Sequence, residues 1–163
     1  MMKTFLLSFL LLGVILQARE IDIDKLIKTA TLSDKHLFIF LHKTNCSYCE
    51  NMKGFTLENE IIEPFIKRYF IYEHINISEK DSISYQGFHG NGKEFAQEIG
   101  YEFYPTSLFF DKNGELILAE TGYRDTKKVP NEKRFYRILN FIKSKAYEKI
   151  YIADYKFTTK KEF

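Results

Sequence analysis

Apolar residues in the first third of this chain change from a helical period to a continuous run. Residues 21–32 carry apolar side chains at helical spacing, which predicts an amphipathic helix; these are Ile23, Leu26, Ile27 and Ala30. The run 36–42 is apolar between two histidines and predicts a strand buried on both faces. A short polar loop, residues 43–45, then leads into residues 47–57, whose composition suits a helix.

The middle of the chain predicts a further helix, a strand and a loop. Residues 60–67 form a second helical segment, which Pro64 is expected to kink or restart. Residues 69–77 alternate in part between apolar and polar side chains and are rich in Ile, Tyr and Phe, a pattern that is typical of a strand. Residues 78–92 hold three glycines among polar residues and are predicted to be a loop. A short helix over residues 93–99 follows and ends at Gly100.

The last third predicts a hairpin and a final helix. Asn113-Gly114 separates the apolar runs 107–110 and 115–119, and such a step is a strong signal for a β-hairpin. An amphipathic helix is predicted over residues 132–147. The order of elements predicts an α/β domain, with a central mixed β-sheet flanked by helices.

The first 18 residues have the pattern of a secretory signal peptide. Lys3 precedes an apolar run over residues 5–16, and Gln17-Ala18 then leads into charged Arg19. The run is shorter than the ~20 residues that span a bilayer, so we expect export to the periplasm without stable membrane insertion. Cleavage after Ala18 is predicted, although Leu16 is bulkier than the residue usual at that position. Residues 19–150 would form the domain, and residues 151–163 a basic, aromatic tail without an assigned role.

The net charge and the cysteine content limit the classes of function that the sequence supports. The net charge of +2 is spread along the chain, which argues against nucleic acid as a partner. The two cysteines, Cys46 and Cys49, would close only a small loop, and such a loop contributes little stability. A zinc half-site needs further ligands, but the four histidines lack paired spacing, so no metal and no cofactor are predicted. Thiol–disulfide chemistry is favoured over a structural disulfide.

The position of the cysteine pair assigns a role to each thiol. Cys46 lies where a predicted strand ends and a helix begins, so unpaired N–H groups and the helix dipole should lower its thiol pKa. Cys46 is therefore the predicted nucleophile. Cys49, one turn later, is placed to resolve a mixed disulfide by intramolecular attack.

Four ordered features together resemble the thioredoxin superfamily over about residues 36–147. They are the strand 37–41, Cys46-Ser47-Tyr48-Cys49, Tyr104-Pro105-Thr106 and the hairpin at residues 110–115. The resemblance implies the thioredoxin fold, with a cis bond between Tyr104 and Pro105 lying against the cysteines; a trans loop proline is the alternative. The loop before residue 93 and Gly122-Tyr123-Arg124 look similar to exported thioredoxin-related proteins of the SoxW type, which implies a periplasmic, often reductive, thiol–disulfide oxidoreductase.

The chain departs from thioredoxin at the usual proton acceptor. The superfamily member thioredoxin has a buried acid six positions before the first cysteine, where this chain has Phe40. His42 and His74 are possible substitutes. The pair Ser47-Tyr48 resembles the middle of a glutaredoxin motif more than that of a strong oxidant, so a reducing pair is expected.

Candidate substrate-binding residues lie around the cysteines. Tyr48 is expected to be exposed and to form an apolar rim with Tyr104, and Pro105 and Thr106 are assigned to the same site. The predicted partners are protein thiols or disulfides, together with a membrane electron donor, and the protein is expected to be a monomer. The alternatives to a reductase are an oxidase or isomerase, the latter normally needing a dimerisation domain, and a binding module whose disulfide is structural.

Overall fold

The computed structural model describes residues 18–127 and 129–156. The predicted signal peptide therefore lies outside the described residues except for Ala18, and so does the end of the predicted tail, residues 157–163. Among the described residues, no helix combines the length and the apolar character needed to cross a membrane.

Within these ranges the chain forms seven strands and five helices. The strands are β1 Glu20–Asp22, β2 His36–His42, β3 Phe70–Asn76, β4 Ser82–Tyr85, β5 Phe88–Asn91, β6 Thr106–Phe110 and β7 Leu116–Thr121. The helices are α1 Ile23–Leu32, α2 Ser47–Asn51, α3 Ile62–Tyr69, α4 Gly92–Glu98 and α5 Asn131–Lys143. α2 continues without a break as a π-helix over Met52–Leu57, and short 3₁₀ turns form at Ala146–Glu148 and Ile152–Asp154.

The main sheet has the strand order β3-β2-β6-β7. β2 pairs in parallel with β3 and antiparallel with β6, and β6 pairs antiparallel with β7 through the hairpin that Asn113-Gly114 predicts. The predicted central mixed sheet flanked by helices is confirmed. A second, three-stranded sheet has the order β1-β4-β5.

Both faces of β2 are buried, which explains its continuous apolar sequence. Phe38 and Phe40 point into a cluster with residues of the π-helix, α3 and α5. Leu37, Ile39 and Leu41 point to the opposite cluster, which is formed with α1 and α4. Each such side chain contributes about 1.5–3 kcal/mol when it is withdrawn from water.

The segment 78–92 corrects the sequence prediction, because it contains the hairpin β4–β5 instead of only a loop. Gln86 and Gly87 have φ values of 48° and 85°, the pair of positive angles that a type I′ turn requires. The turn was missed because Gln-Gly is not the usual Asn-Gly signal. β4 also pairs in parallel with β1, of which Ile21 and Asp22 fall within the helix predicted over residues 21–32.

Pro64 does not break α3, so the predicted kink is wrong. The helix runs from Ile62 to Tyr69, and Pro64 is its third residue. In the first turn a backbone N–H has no partner within the helix, so proline removes no hydrogen bond there.

The described part of the C-terminal tail packs on the domain. Ile152 and Tyr155 contact the aromatic cluster on the α5 side of the sheet. The guanidinium of Arg137 on α5 donates to the carbonyl oxygens of Ile152 and Tyr155, at 2.5 and 2.6 Å. One arginine therefore holds the chain after α5 against that helix.

His36, at the start of β2, links the same region to the sheet. It is 6% exposed, and its Nε2 lies 2.9 Å from the Tyr147 hydroxyl. Burial lowers the pKa of His36 below its ordinary value of 6.5, and the neighbouring Lys145 lowers it further. The folded protein therefore favours the neutral imidazole.

We predict that His36 makes the protein less stable in acid. A histidine whose pKa is lowered in the folded state contributes stability above pH 6.5, and this contribution is lost as the pH falls toward the lowered pKa. Urea unfolding between pH 7 and pH 5 should show a shallower loss of stability in His36→Phe than in the wild type. The exposed His89→Gln variant is the control, and equal slopes in all three proteins would contradict the prediction.

Candidate redox site

The cysteine pair lies at the junction of β2 and α2, as the sequence predicts. β2 ends at His42, and three residues then turn the chain toward the helix. Asn45 completes the turn with a φ of 57°, a left-handed conformation that asparagine tolerates better than most residues. Cys46 is the N-cap of α2, and Cys49 lies within its first turn.

Cys46 and Cys49 form a disulfide with their Cα atoms 5.2 Å apart. The backbone N–H of Cys49 donates to Cys46 Sγ at 3.1 Å and to the Cys46 carbonyl oxygen at 3.0 Å. Cys46 is 7% exposed and Cys49 only 1%. Cys46 is thus the more accessible cysteine, and its sulfur receives a hydrogen bond from the start of the helix.

A polar network holds the loop before Cys46 against the loop after β3. Asn76, 7% exposed at the end of β3, donates from Nδ2 to Thr44 Oγ1 at 3.1 Å and to Glu79 Oε1 at 2.9 Å. Its Oδ1 accepts from the Ser78 N–H at 3.1 Å, and the Thr44 N–H donates to Ser78 Oγ at 3.2 Å. Sequence reasoning missed these residues, since the two loops are separated by about thirty residues.

The Tyr104-Pro105-Thr106 segment lies at the end of the sheet where β2 finishes and β6 begins. The Tyr104–Pro105 bond is cis, as the resemblance implies. Thr106 begins β6 opposite Leu41, close to the point where β2 leads into the cysteine loop. The segment is held by the Gly122 N–H, which donates to the Pro105 carbonyl oxygen at 2.7 Å.

Thr106 is fully buried, and its hydroxyl is already engaged. It donates to the Phe103 carbonyl oxygen at 2.6 Å and lies 3.0 Å from Thr121 Oγ1. Because a hydroxyl has one proton, Thr121 is the donor in the second contact. Pro105 is buried as well, so Tyr104 is the most accessible of the three predicted residues.

Two exposed aromatic residues are close in sequence to the site, one beside the cysteines and one near the cis proline. Tyr48, between the cysteines, is 61% exposed, as expected, and Phe103 is 77% exposed. Phe103 was missed because its sequence position, beside Tyr104, does not reveal its exposure. Tyr104 is half-buried, and burial raises its pKa, with Glu102 acting in the same direction.

The two histidines considered as proton acceptors contact each other. His42 Nε2 lies 3.2 Å from His74 Nδ1, and the His42 ring stacks on Phe40 at 5.3 Å between ring centroids. Burial lowers the pKa of His42, and His74 lowers it further. A cavity of about 300 Å³ lies beside the pair and is also lined by Lys53 and Tyr72.

The π-helix after the cysteines is anchored to α5. Asn131, fully buried, donates from Nδ2 to Thr56 Oγ1 at 2.7 Å and to Met52 Sδ at 3.3 Å. Its Oδ1 accepts from the Arg124 N–H at 3.1 Å. A single amide therefore ties the helix that carries both cysteines to α5 and to the loop before it.

The described residues bring no three His, Cys, Asp or Glu side chains into an arrangement that could hold a metal ion. The chemistry that the site offers with its own groups is thiol–disulfide exchange.

Comparison with known proteins agrees with this arrangement. A family model described as a thioredoxin-like domain matches residues 23–137. No curated protein matches the chain. Similar solved structures include a thioredoxin-fold protein from Helicobacter pylori, at 25% identity and a TM-score of 0.57 over 72% of this chain and 74% of that one.

Two further structures share the fold at lower identity. A thioredoxin from Thermus thermophilus is 18% identical, with a TM-score of 0.55 over 77% of this chain and 86% of that one. A disulphide isomerase from Xylella fastidiosa is 15% identical, with a TM-score of 0.52 over 74% and 87% of the two chains. With the family match over residues 23–137, the fold and the cysteine pair at the start of α2 lead to one conclusion: the chain belongs to the thioredoxin-like domain family.

Proposed function

We propose that the protein is a periplasmic thiol–disulfide oxidoreductase that reduces disulfides in other proteins. The observation that carries this proposal is the position of Cys46, whose sulfur accepts the Cys49 N–H at the start of the helix and whose side chain is the more exposed of the pair. A thiolate at that atom would keep the same hydrogen bond and would face the positive end of the helix dipole. Membership of the thioredoxin-like family supports the same chemistry.

The reaction would proceed in two exchanges. In the reduced protein, the Cys46 thiolate attacks one sulfur of a substrate disulfide, forms a mixed disulfide and releases the other substrate sulfur as a thiolate. Cys49, whose Cα lies 5.2 Å from that of Cys46 in the disulfide, then attacks Cys46 Sγ and releases the second substrate thiol. Two electrons pass from the cysteine pair to the substrate, and a membrane electron donor would supply them again.

The substrate would lie along the exposed side of this junction. Tyr48 and Phe103 present aromatic surface to solvent, and Tyr104 is partly accessible. Pro105 and Thr106 would shape the site through the backbone, because both side chains are buried. Aromatic side chains at such positions are frequent anchors in protein recognition.

The reducing direction rests on the groups between the cysteines. Ser47 and Tyr48 carry no charge that would stabilise a Cys46 thiolate further. A less stabilised thiolate makes the disulfide form relatively more favourable, and the protein a better reductant. The signal pattern of residues 1–18 supports the periplasmic location.

We predict a reduction potential near that of thioredoxin. Equilibration in thiol redox buffers, followed by alkylation of free thiols, should give a value near roughly −270 mV, far from the roughly −120 mV of a strong oxidant. A value close to the oxidant would reverse the proposed direction. A pair that stays oxidised below about −300 mV would indicate a structural disulfide.

We predict opposite behaviour for the two cysteine variants. Cys46→Ser should abolish reduction of insulin disulfides, because it removes the attacking thiol. Cys49→Ser should accumulate a mixed disulfide with the substrate, seen as a slower band on a non-reducing gel, because the resolving thiol is missing. Ser47→Ala, which leaves both thiols in place, should retain activity. Trapping by Cys46→Ser instead of Cys49→Ser would exchange the assigned roles.

We predict that the hydrogen bonds of Asn76 support activity by holding the loop before Cys46 in place. Asn76→Ala removes bonds to Thr44, Ser78 and Glu79 from a buried site, and should cost about 1–3 kcal/mol in the free energy of unfolding. It should also slow disulfide reduction under conditions in which the protein remains folded. Asn140→Ala, which removes a bond within α5, is the control and should keep the wild-type rate. An unchanged rate of disulfide reduction in Asn76→Ala would show that these hydrogen bonds do not contribute to activity.

A further inference from the structure

Arg19 is bound to the fold through its backbone and its side chain together. Its guanidinium donates to Glu73 Oε1 at 3.1 Å and to the His74 carbonyl oxygen at 2.8 Å, both on β3. Its carbonyl oxygen accepts from the Ser82 N–H at 2.9 Å, next to the first pair of β1 with β4. The chain is therefore held in place from Arg19 onward.

Asp81 faces this residue with both carboxylate oxygens. Oδ1 accepts from the backbone nitrogen of Arg19 at 3.1 Å, and Oδ2 accepts from its Nε at 3.3 Å. Asp81 is only 6% exposed, so its charge is largely withdrawn from water. A buried carboxylate needs compensating charge and hydrogen bonds, and a second cation at Oδ1 would supply both.

We propose that the α-ammonium group of Arg19, which cleavage after Ala18 would release, binds Asp81 Oδ1 in the exported protein. This inference rests on the export that is part of the proposed function. A signal peptidase would supply the catalysis and water the second reactant. The C–N bond breaks, hydroxyl joins the Ala18 carbonyl carbon, and hydrogen joins the Arg19 nitrogen. A further proton from solvent then makes that nitrogen an ammonium.

Among the neighbouring bonds, this one gives the folded protein a new N-terminus beside Asp81. Ala18 is exposed, whereas the β1 residue Ile21 is 3% exposed and paired with Ile83 of β4. A cut after Arg19 would remove the guanidinium that binds Glu73 and Asp81. A cut before Ala18 would leave a neutral amide at Oδ1. Only cleavage at Ala18–Arg19 keeps the guanidinium and also places the new positive charge at the carboxylate.

The contact gives the processed protein a specific pH dependence. The groups facing the Arg19 nitrogen are Asp81 from the loop before β4, Glu73 from β3 and the Arg19 guanidinium itself, with Glu20 and Lys80 next to them in the chain. Pairing with Asp81 would raise the pKa of this ammonium in the folded state, because a neighbouring carboxylate favours the charged form. Its stabilisation is complete below the ordinary α-amino pKa of about 7.7–8.0 and is lost as the pH rises through the raised value.

The first experiment determines the mature N-terminus. The full chain is produced in a bacterium that exports it, and the purified product is analysed by intact mass and N-terminal sequencing. We expect a chain that begins at Arg19. A product beginning at any other residue, or one that retains its leader, overturns the inference. The reduction of insulin by the same preparation is measured separately, so failure of the processing site and failure of the proposed activity are distinguished.

The second experiment tests the ammonium contact in the exported, oxidised protein, in which no thiol titrates. The urea midpoint should fall between pH 7 and pH 9.5 in the wild type and should change clearly less in Asp81→Asn. Asp34→Asn, which removes an exposed carboxylate elsewhere, should follow the wild type. If Asp81→Asn does not fold, selective acetylation of the α-amine of the wild type should remove the same pH dependence. An unchanged slope after acetylation, or equal slopes in wild type and Asp81→Asn, overturns the contact.

Discussion

β2 is buried on both faces, and its packing sets the arrangement of the elements around the cysteines. Its alternate side chains enter two separate hydrophobic clusters, so helices must cover both sides of the sheet. β2 pairs with β3 on one edge and β6 on the other, and this brings the loop after β3 and the start of β6 to the end of β2. The cysteines follow that end directly. Because β2 is packed on both faces and paired with a strand on each side, the chain that leads to the cysteines starts from a rigid element.

Polar residues, not apolar ones, position the chain between β2 and the cysteines. Asn76 joins the two loops at the sheet edge, and Asn131 joins the helix after the cysteines to α5. Both amides are buried, and both use donor and acceptor atoms at once. Hydrogen bonds are directional, so they determine where a loop lies more narrowly than apolar contact does. The pair thus lies on a helix whose beginning and middle are both attached to neighbouring elements.

Two arginines each hold a segment near one end of the described chain against the rest of the domain. Arg19 binds carboxylates and a carbonyl oxygen where the described chain enters the three-stranded sheet, and Arg137 binds carbonyl oxygens of the segment after α5. A guanidinium offers several donors in one plane, so one side chain can hold several acceptors of an otherwise irregular segment. The tail, which has no period in sequence, gains a defined place through this contact and through the aromatic contacts of Tyr155.

Local sequence patterns were sufficient to predict the strand–loop–helix unit with Cys46 and Cys49 at the helix start, the hairpin at Asn113-Gly114 and the mixed sheet. Those features depend on residues close together in the chain, where apolar period and turn residues are direct signals. Three other features become visible only in the folded chain: the pairing of β1 with β4, the contact of His42 with His74 and the binding of Arg19 by Asp81. These join residues some thirty to sixty positions apart, and neither composition nor period specifies which distant partners meet.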